Sequence, residues 1–537
     1  MPRQTNHPED SRTASPNTGG MGRSLISSTG GILMGRVTGL LRDVCAAAYW
    51  GATGVAQAAY TTAFAIPNIF RNLFGEGAAN GAFVPILSAH LEKDDKERAW
   101  RIASRAITAQ FLILILLTVL ASVIALALGM TGLFKSESAR TAVKILPVLM
   151  PFTIFICGTA AFGAVMQSMN AFFLSYASQA IFNIVQVASL GILAWGWRND
   201  EPAALWLYCG STLLAGFLQM LALLLKCRRL GYRYRFDFDF KDPEVRMLGR
   251  KYIPVLVGNG ANMINSFIDS ILAISLGAAA VGALNYSHRL VYLPVGLFGV
   301  AMGSVGLRAL SRAQARGDQQ GVADGLDYAL RTVMFLALPC TAYLLVAGRD
   351  LITFLFARGA FTQEAINESS FALFFYMMGL PAICGNKVAT NPFHARKDTF
   401  TPMCISIGCV ILNLILNLIL MQYLRQGGLA LATSICAWLN MALLLALNKR
   451  HLSIWTPRRA LKAAIPLLLA AAAAGAACHY TIAMLDAGGL AASLPRTLFA
   501  AAKVFGGLAA TSAAYLAACV LLRRPEPREL LAAVRRR

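Results

Sequence analysis

Five ionisable side chains stand out within strongly apolar stretches of the sequence. Four are arginines and one is a glutamate: Arg36, Arg42, Arg71, Arg289 and Glu76. A charge inside a bilayer costs a few kcal/mol, so such residues usually face a water-filled cavity. Arginine offers a planar fork of donors that matches a phosphate or a carboxylate, and it stays charged at physiological pH. We therefore expect these five residues to line a cavity that binds an anionic head group.

The arginines also have a purely structural interpretation. Those of the first two apolar stretches could extend to a membrane interface, or pair with Asp43 and Glu76 and hold helices together. This alternative stays open for any single arginine. The set as a whole favours the anion cavity.

A second group of polar residues has the composition of a cation site. Asp269 lies in an apolar stretch, and Asn413 and Asn417 are spaced to share one helix face. With Thr433 they offer the carboxylate, amide and hydroxyl oxygens that a hard cation such as Na⁺ prefers. Hydrogen bonding between membrane helices explains the same residues, so both interpretations remain.

The apolar stretches themselves determine the fold class. The 537 residues are 57% hydrophobic and only 14% charged, against about 25% charged in a typical soluble protein. Mean hydropathy is +0.58. Stretches such as 111–130, 204–225 and 404–421 reach the roughly 20 residues that cross a bilayer as a helix. We predict an all-α polytopic membrane protein with about fourteen transmembrane helices, not a barrel of short alternating strands.

The charge distribution predicts the orientation. The net charge is +22, but the basic residues gather in alternate connectors, and residues 226–251 hold nine Lys/Arg against four Asp/Glu. The positive-inside rule then puts both termini in the cytoplasm. We expect the basic connectors to contact anionic membrane lipids, and we expect no nucleic-acid partner.

A weak internal repeat predicts the arrangement of the helices. Residues 67–95 resemble residues 294–318, and repeats of this kind indicate two six-helix lobes around a central cavity, here with two further C-terminal helices. The predicted segments are a disordered tail (1–23), the N-lobe (24–228), a basic connector (229–246), the C-lobe (247–448), a linker with the last two spans (449–524) and a basic tail (525–537).

Nothing in the sequence has the pattern of an enzyme. It contains six histidines, no HExxH motif and no P-loop, and His288 stands alone beside Arg289. The eleven cysteines lie almost all in apolar stretches without a CxxC pair, which is typical of small buried hydrophobic residues. We expect a transporter without a cofactor, apart from the Na⁺ alternative.

Several stretches resemble the MurJ/MviN family over roughly residues 24–520. The stretches are GRVTGLLRDVCAAAYWGA (35–52), IPNIFRNLFGEGAANGAFVPIL (66–87), YSHRLVYLPVGLFGVAMGS (286–304), LFARGAFT (355–362) and FHARKDTFTP (393–402). The FGEGA…AFVP block within the second stretch is the most specific part of the resemblance. That family comprises lipid II flippases of the multidrug/oligosaccharidyl-lipid/polysaccharide exporter superfamily.

The resemblance implies roles for the residues singled out above. It implies that the four arginines contact the lipid-linked diphosphate, and that the last two spans help to form a groove for the polyprenyl tail. It also implies a Na⁺ site of some members at Asp269, Asn413, Asn417 and Thr433. The chain departs from the family at Ala58, where an acidic residue is frequent, and at His288, where an aspartate usually precedes the arginine.

The function implied is a lipid II flippase of cell-wall peptidoglycan biosynthesis. One alternative is a transporter of another lipid-linked glycan or of an organic anion. Another is a non-transporting scaffold that binds cell-wall synthesis proteins. Four arginines disfavour an exporter of cationic drugs, whose cavity would carry carboxylates.

Overall fold

The computed structural model describes residues 18–71, 73, 84–131, 134, 136–169, 171–197, 200–239, 242–243, 246, 265–396, 398–451, 457–488 and 495–529. Within these residues the regular elements are helices, as the apolar stretches predicted. The proposed glutamate of the cavity, Glu76, lies outside the described residues.

The helices of the first half form the N-lobe. They are α1 (Thr18–Trp50), α2 (Val55–Arg71), α3 (Val84–Glu92), α4 (Lys96–Met130), α5 (Glu137–Leu149), α6 (Phe152–Ser168), α7 (Phe172–Gly196) and α8 (Glu201–Arg229).

The C-lobe follows, with a C-terminal helical hairpin after it. The C-lobe helices are α9 (Asn265–Leu276), α10 (Ala278–Pro294), a π-helical turn (Val295–Gly299), α11 (Val300–Ala315), α12 (Gln319–Phe356), α13 (Gln363–Ala389), α14 (Asn391–Ala395), α15 (Phe400–Leu424) and α16 (Gln426–His451). The hairpin is α17 (Pro457–Ala487) and α18 (Arg496–Leu521).

Local sequence signals begin several of the long helices. Before α4, α8 and α12 stands an aspartate (Asp95, Asp200 and Asp318) whose carboxylate accepts a backbone N–H three residues further on. Such a cap satisfies one of the free donors of a helix N-terminus and contributes about 1 kcal/mol. At its other end α8 carries three basic residues in its last turn, which complement the helix dipole.

At most ten spans in the described part of the chain pass a strict test of length and apolarity. Nine helices in the described part of the chain are long and apolar enough to cross a membrane. A tenth is the pair α5 and α6, bent by 51° at Met150 and Pro151. Four stretches predicted as spans, α1, α2, α9 and the α10–α11 stretch, do not pass this test, so a count of fourteen stays a prediction.

The boundary of the N-terminal tail differs from the prediction. Helix α1 begins at Thr18, inside the segment 1–23 that its polar composition marked as disordered. With 33 residues it is about 50 Å long at 1.5 Å per residue. The helix therefore starts well before the apolar stretch that contains the first candidate arginine.

The C-terminal hairpin is tied to α12 at both of its ends. Near one end, Lys503 Nζ lies 2.6 Å from Asp486 Oδ1 and 3.4 Å from Asp350 Oδ1. Near the other, the carboxylate of Glu526 accepts from Arg524 and lies 3.8 Å from Arg331. Glu526, in the segment predicted as a basic tail (525–537), is buried. The hairpin thus belongs to the C-lobe body.

The ends of the helices define two faces of the molecule. We call the face at which α4 begins and α8 ends the basic face. Arg98 at the start of α4 bonds to Asp242 beyond the end of α8, at 3.0 Å, which places both ends together. The end of α1 lies on the opposite face, where the Tyr49 hydroxyl donates to the carbonyl of Trp197 beyond α7.

Candidate functional site

The centre of the site is a carboxylate shared by two arginines from different lobes. Asp43 in α1 accepts from Nε and Nη2 of Arg42, at 3.1 and 2.9 Å, through its Oδ1 atom. Its other oxygen, Oδ2, accepts from Nη1 of Arg289 in α10. Asp43 is only 6% exposed, whereas the side chain of Arg289 is 37% exposed. The carboxylate is therefore held inside, and Arg289 keeps an accessible edge.

A short chain of hydrogen bonds orients Arg289. Its Nε atom donates to Asn285 Oδ1 at 3.2 Å, one helical turn earlier. The amide of Asn285 in turn donates to the hydroxyl of Thr61 in α2 at 3.3 Å. Helix α10 of the C-lobe thus contacts both α1 and α2 of the N-lobe around the same guanidinium.

Aromatic rings fix the position of Arg42. Its guanidinium carbon lies 5.7 Å from the ring centroid of Phe182, within the range of a cation–π contact. The rings of Tyr60 and Tyr208 lie 4.7 Å apart in the same cluster, and the Tyr60 hydroxyl is 3.0 Å from Thr212 Oγ1. Bidentate pairing with Asp43 and this contact together leave Arg42 little rotational freedom.

Arg36 reaches across to the C-lobe without an ion pair to Asp43. A Cβ atom added to Gly296, in the π-helical turn, would lie 2.7 Å from Nη1 of Arg36. A side chain at position 296 would therefore displace the guanidinium of Arg36 from its present place. π-Helical turns are frequent at functional sites because they displace backbone groups from the regular helical pattern.

Arg71 ends α2, the helix that also supplies the hydroxyl of Thr61. Its Nε atom donates to Asn68 Oδ1 at 2.8 Å. The structure thus joins Arg42 and Arg289 directly through one carboxylate and places the other two cations on helices of the same inter-lobe region. The pairing of Arg42 with Asp43 is also the one that the structural interpretation of the sequence named.

The two lobes are in close contact on one side of Arg42, Asp43 and Arg289. This contact lies toward the face opposite the basic face. The backbone N–H of Ala360 donates to the carbonyl of Ala48 at 2.8 Å. Gly359 beside it has φ +58°, and a Cβ there would lie 2.9 Å from the carbonyl carbon of Ala48. Likewise, a Cβ on Gly282 would lie 2.7 Å from the carbonyl carbon of Ala52. This inter-lobe seam is closed by backbone contact, which only glycine permits.

Three of the four predicted cation ligands come together. The amide of Asn417 donates to Asp269 Oδ1 at 2.7 Å and to Asn413 Oδ1 at 2.9 Å. Thr433 donates its hydroxyl to the Leu429 carbonyl of its own helix, and no hydrogen bond described here links it to the other three. Asn413 and Asn417 lie on one helix face, as their spacing predicted.

A further residue of this cluster was missed in the sequence. Asn265 donates to Asp269 Oδ2 at 3.5 Å from one turn earlier in α9, a spacing that the sequence NMINSFID displays. The buried Oδ1 atoms of Asn265 and Asn417 lack a hydrogen-bond partner. Two spare amide oxygens beside one carboxylate fit a hard cation such as Na⁺. Among the described residues, no group of three or more His, Cys, Asp or Glu forms a metal site.

Of the two positions that depart from the family, Ala58 is buried and His288 is exposed. Ala58 in α2 is completely buried. Its methyl side chain supplies no polar group. The ring of His288 lies 4.2 Å from that of Tyr292 and 6.0 Å from that of Tyr376. His288 thus packs among aromatic rings beside Arg289, and Asp43 is the carboxylate that pairs with this arginine.

Comparison with known proteins gives consistent relatives. The model of the family described as "Lipid II flippase MurJ" matches residues 46–500. The chain is 33% identical over 423 residues to a "Probable lipid II flippase MurJ" of Vibrio cholerae, covering 77% of this chain and 80% of that one. It is 31% identical over 470 residues to the protein of that name in Rhizobium meliloti, covering 85% of each.

Solved structures show the same fold. "Lipid II flippase MurJ, inward closed conformation" superposes with a TM-score of 0.73 at 23% identity, covering 93% of this chain and 100% of that one. An inward-facing multidrug resistance MATE family transporter of the MOP superfamily gives a TM-score of 0.64 at 13% identity, covering 77% and 94%. The two-lobed transporter fold predicted from the repeat is thereby confirmed.

Proposed function

The chain belongs to the lipid II flippase MurJ family, and from that premise we propose that it carries lipid II across the bacterial inner membrane. The substrate is the undecaprenyl-diphosphate-linked precursor of peptidoglycan. It moves from the inner to the outer leaflet by alternating access of the two lobes. The observation that carries this proposal is the sharing of Asp43 by Arg42 and Arg289, because it brings cations of both lobes to one point.

The shared carboxylate supports a mechanism of anion exchange. Without substrate, Asp43 neutralises Arg289 and links the lobes. A diphosphate offers more acceptor oxygens and more negative charge than one carboxylate, and it matches the fork of a guanidinium. The accessible edge of Arg289 meets the diphosphate first, and the arginine then exchanges one anion for the other. Loss of the inter-lobe ion pair frees the seam at Ala48 and Ala360 to open.

The basic face is proposed to be the cytoplasmic face, with both termini on that side. Its support is the excess of Lys/Arg in the connectors there, including the last turn of α8. Anionic phospholipids are proposed as partners of these connectors, since each basic residue near such a surface contributes about 1 kcal/mol. The seam between Ala48 and Ala360 is then a closed periplasmic gate.

The cation cluster is proposed to act through conformation and not through chemistry on the substrate. Asp269, Asn413, Asn417 and Asn265 would hold Na⁺, and Thr433 of α16 is the fourth ligand expected from the sequence. A bound Na⁺ would supply positive charge that favours the conformation in which these oxygens converge. A ligand shifts a conformational equilibrium only by its differential affinity for the two states.

Complementation of a strain depleted of its own lipid II flippase tests the proposed function. Expression of this chain is expected to restore growth and cell shape. Failure to restore growth by a protein that accumulates in the membrane would contradict lipid II as the substrate. Export of a different lipid-linked glycan by the same cells would then identify the alternative transporter.

A further inference from the structure

The connector that follows α8 is docked along the side of α4. Tyr232 is completely buried, and its hydroxyl lies 3.1 Å from Ser104 Oγ. The hydroxyl of Tyr234 lies 2.9 Å from Thr108 Oγ1. These contacts make an extended segment of the connector part of the N-lobe surface.

The acidic residues of the connector complete this docking. Arg105 in α4 donates from Nε to Asp237 at 2.7 Å and from Nη1 to Asp242 at 2.5 Å, and its Nη2 lies 3.1 Å from Asp239. The backbone N–H of Asp239 and the Arg105 guanidinium hold the pKa of Asp237 below its usual range, so it is ionised at neutral pH. The connector's carboxylates thus pair with Arg105, and its arginines Arg233 and Arg235 are left exposed.

The segment approaches the apolar part of α4 at Tyr234. Tyr232 contacts Ser104 of α4, and Tyr234 contacts Thr108, one turn further along. Asp237 then contacts Arg105, so the segment turns back between Tyr234 and Asp237. The ring of Tyr234, which lies 5.1 Å from the ring of Phe236, also lies 6.3 Å from that of Phe111. Phe111 begins the apolar stretch FLILILL, so the turn lies beside the band of α4 that faces lipid.

The outward side of this turn combines aromatic rings with arginines. Phe236 is 74% exposed and Phe238 is 62% exposed. Arg233 and Arg235 are also exposed. Large exposed rings beside cations are unfavourable in water but suit a membrane interface, where rings enter the acyl boundary and guanidinium groups stay among phosphates.

We propose that residues 233–238 form a membrane anchor at the basic face, with anionic phospholipid as its partner. Phe236 and Phe238 enter the boundary of the acyl chains, and Arg233 and Arg235 bind lipid phosphates. This deepens the proposed lipid contact of the connectors and rests on their cytoplasmic placement. Because the segment is docked on α4, the anchor fixes the depth of the N-lobe while the C-lobe moves against it.

Fluorescence of the full-length protein in nanodiscs tests the anchor. A Phe236→Trp variant is compared with its parent, which has seven tryptophans, and with a Gln319→Trp control at the exposed start of α12. Lipids brominated near the head group should quench the added signal of Phe236→Trp and leave that of Gln319→Trp unchanged. Quenching by aqueous iodide, without quenching by bromolipid, would overturn the anchor.

Lipid analysis tests the charged half of the proposal. Protein extracted from nanodiscs of phosphatidylglycerol and phosphatidylcholine should retain less phosphatidylglycerol when it carries both Arg233→Gln and Arg235→Gln. Arg349→Gln, a loss of an exposed arginine on α12, is the matched control and should retain the parental amount. Equal retention by all three proteins would contradict the proposal. These measurements need no transport, so their outcome is distinct from any failure of the complementation experiment.

Discussion

Asp43 and Arg289 join the two lobes by a direct ion pair, although 246 residues separate them in the chain. The same carboxylate also holds Arg42, so one acidic side chain pairs with cations of both lobes. Removing it changes the contact between the lobes and the anion site at once. The predictions below separate these two roles.

Replacement of the shared carboxylate should weaken the closed seam. Asp43→Asn keeps the size of the side chain but removes the charge that pairs with Arg289, which costs about 1–3 kcal/mol in such partly buried contacts. An Ala52→Cys reporter at the seam should then react faster with an impermeant maleimide added outside the cell. Asp324→Asn, an exposed carboxylate on α12, is the control. Equal labelling rates in the two variants would show that the pair does not hold the seam.

Loss of a cavity arginine should abolish transport without loss of the protein. Arg289→Ala or Arg71→Ala removes a charged contact whose loss typically costs about 2–5 kcal/mol in a desolvated site. Neither variant should complement the depleted strain, while membrane levels stay normal. Arg289→Lys should rescue only in part, because an ammonium lacks the planar fork. Arg349→Ala serves as a control, and full growth with alanine at all four cavity positions would remove the anion-cavity account.

The basic connector should be inaccessible from the periplasm. An Arg233→Cys variant places a thiol on its exposed side, in a background with Cys404→Ser because Cys404 is the exposed cysteine among those present. An impermeant maleimide should label it in inverted vesicles and not in intact cells. Labelling in intact cells would reverse the assigned orientation of every span.

The membrane potential should drive export more than a cation gradient does. Moving one charge across 100 mV is worth about 2.3 kcal/mol, and a negative interior assists the outward passage of a diphosphate. The same potential also favours the inward return of the empty, cationic site. An ionophore at constant Na⁺ should stop flipping, and Asp269→Ala should leave much activity. Indifference to the ionophore, with inactive Asp269→Ala, would make the cation gradient the driver.

Particular residues show how far the sequence could be interpreted. Local spacing identified Asn413 and Asn417 as one helix face, because that relation depends only on helical periodicity. The same rule applied to Asn265 and Asp269 would have added a ligand that the sequence analysis missed. The ion pair between Asp43 and Arg289 has no local signal, because it depends on how the lobes pack.

The connector after α8 shows a second limit of prediction from sequence. Its excess of Lys/Arg predicted a lipid-facing loop, but net charge does not reveal that Asp237 and Asp242 bind Arg105. The alternation in YRYRFDFDF (232–240) was the available signal for an extended segment with two unlike sides. Composition therefore predicted the charge of this surface, and only the contacts with α4 identify which side chains form it.

Transport by the purified protein tests the central claim most directly. The chain and its Arg289→Ala variant are reconstituted in liposomes that contain lipid II, and the lipid II that crosses the bilayer under an imposed potential is measured. The account predicts transfer by the parent, loss of transfer in Arg289→Ala, and no transfer of an undecaprenyl lipid without a diphosphate. Equal transfer by Arg289→Ala, or the absence of transfer by the folded parent protein, would contradict it.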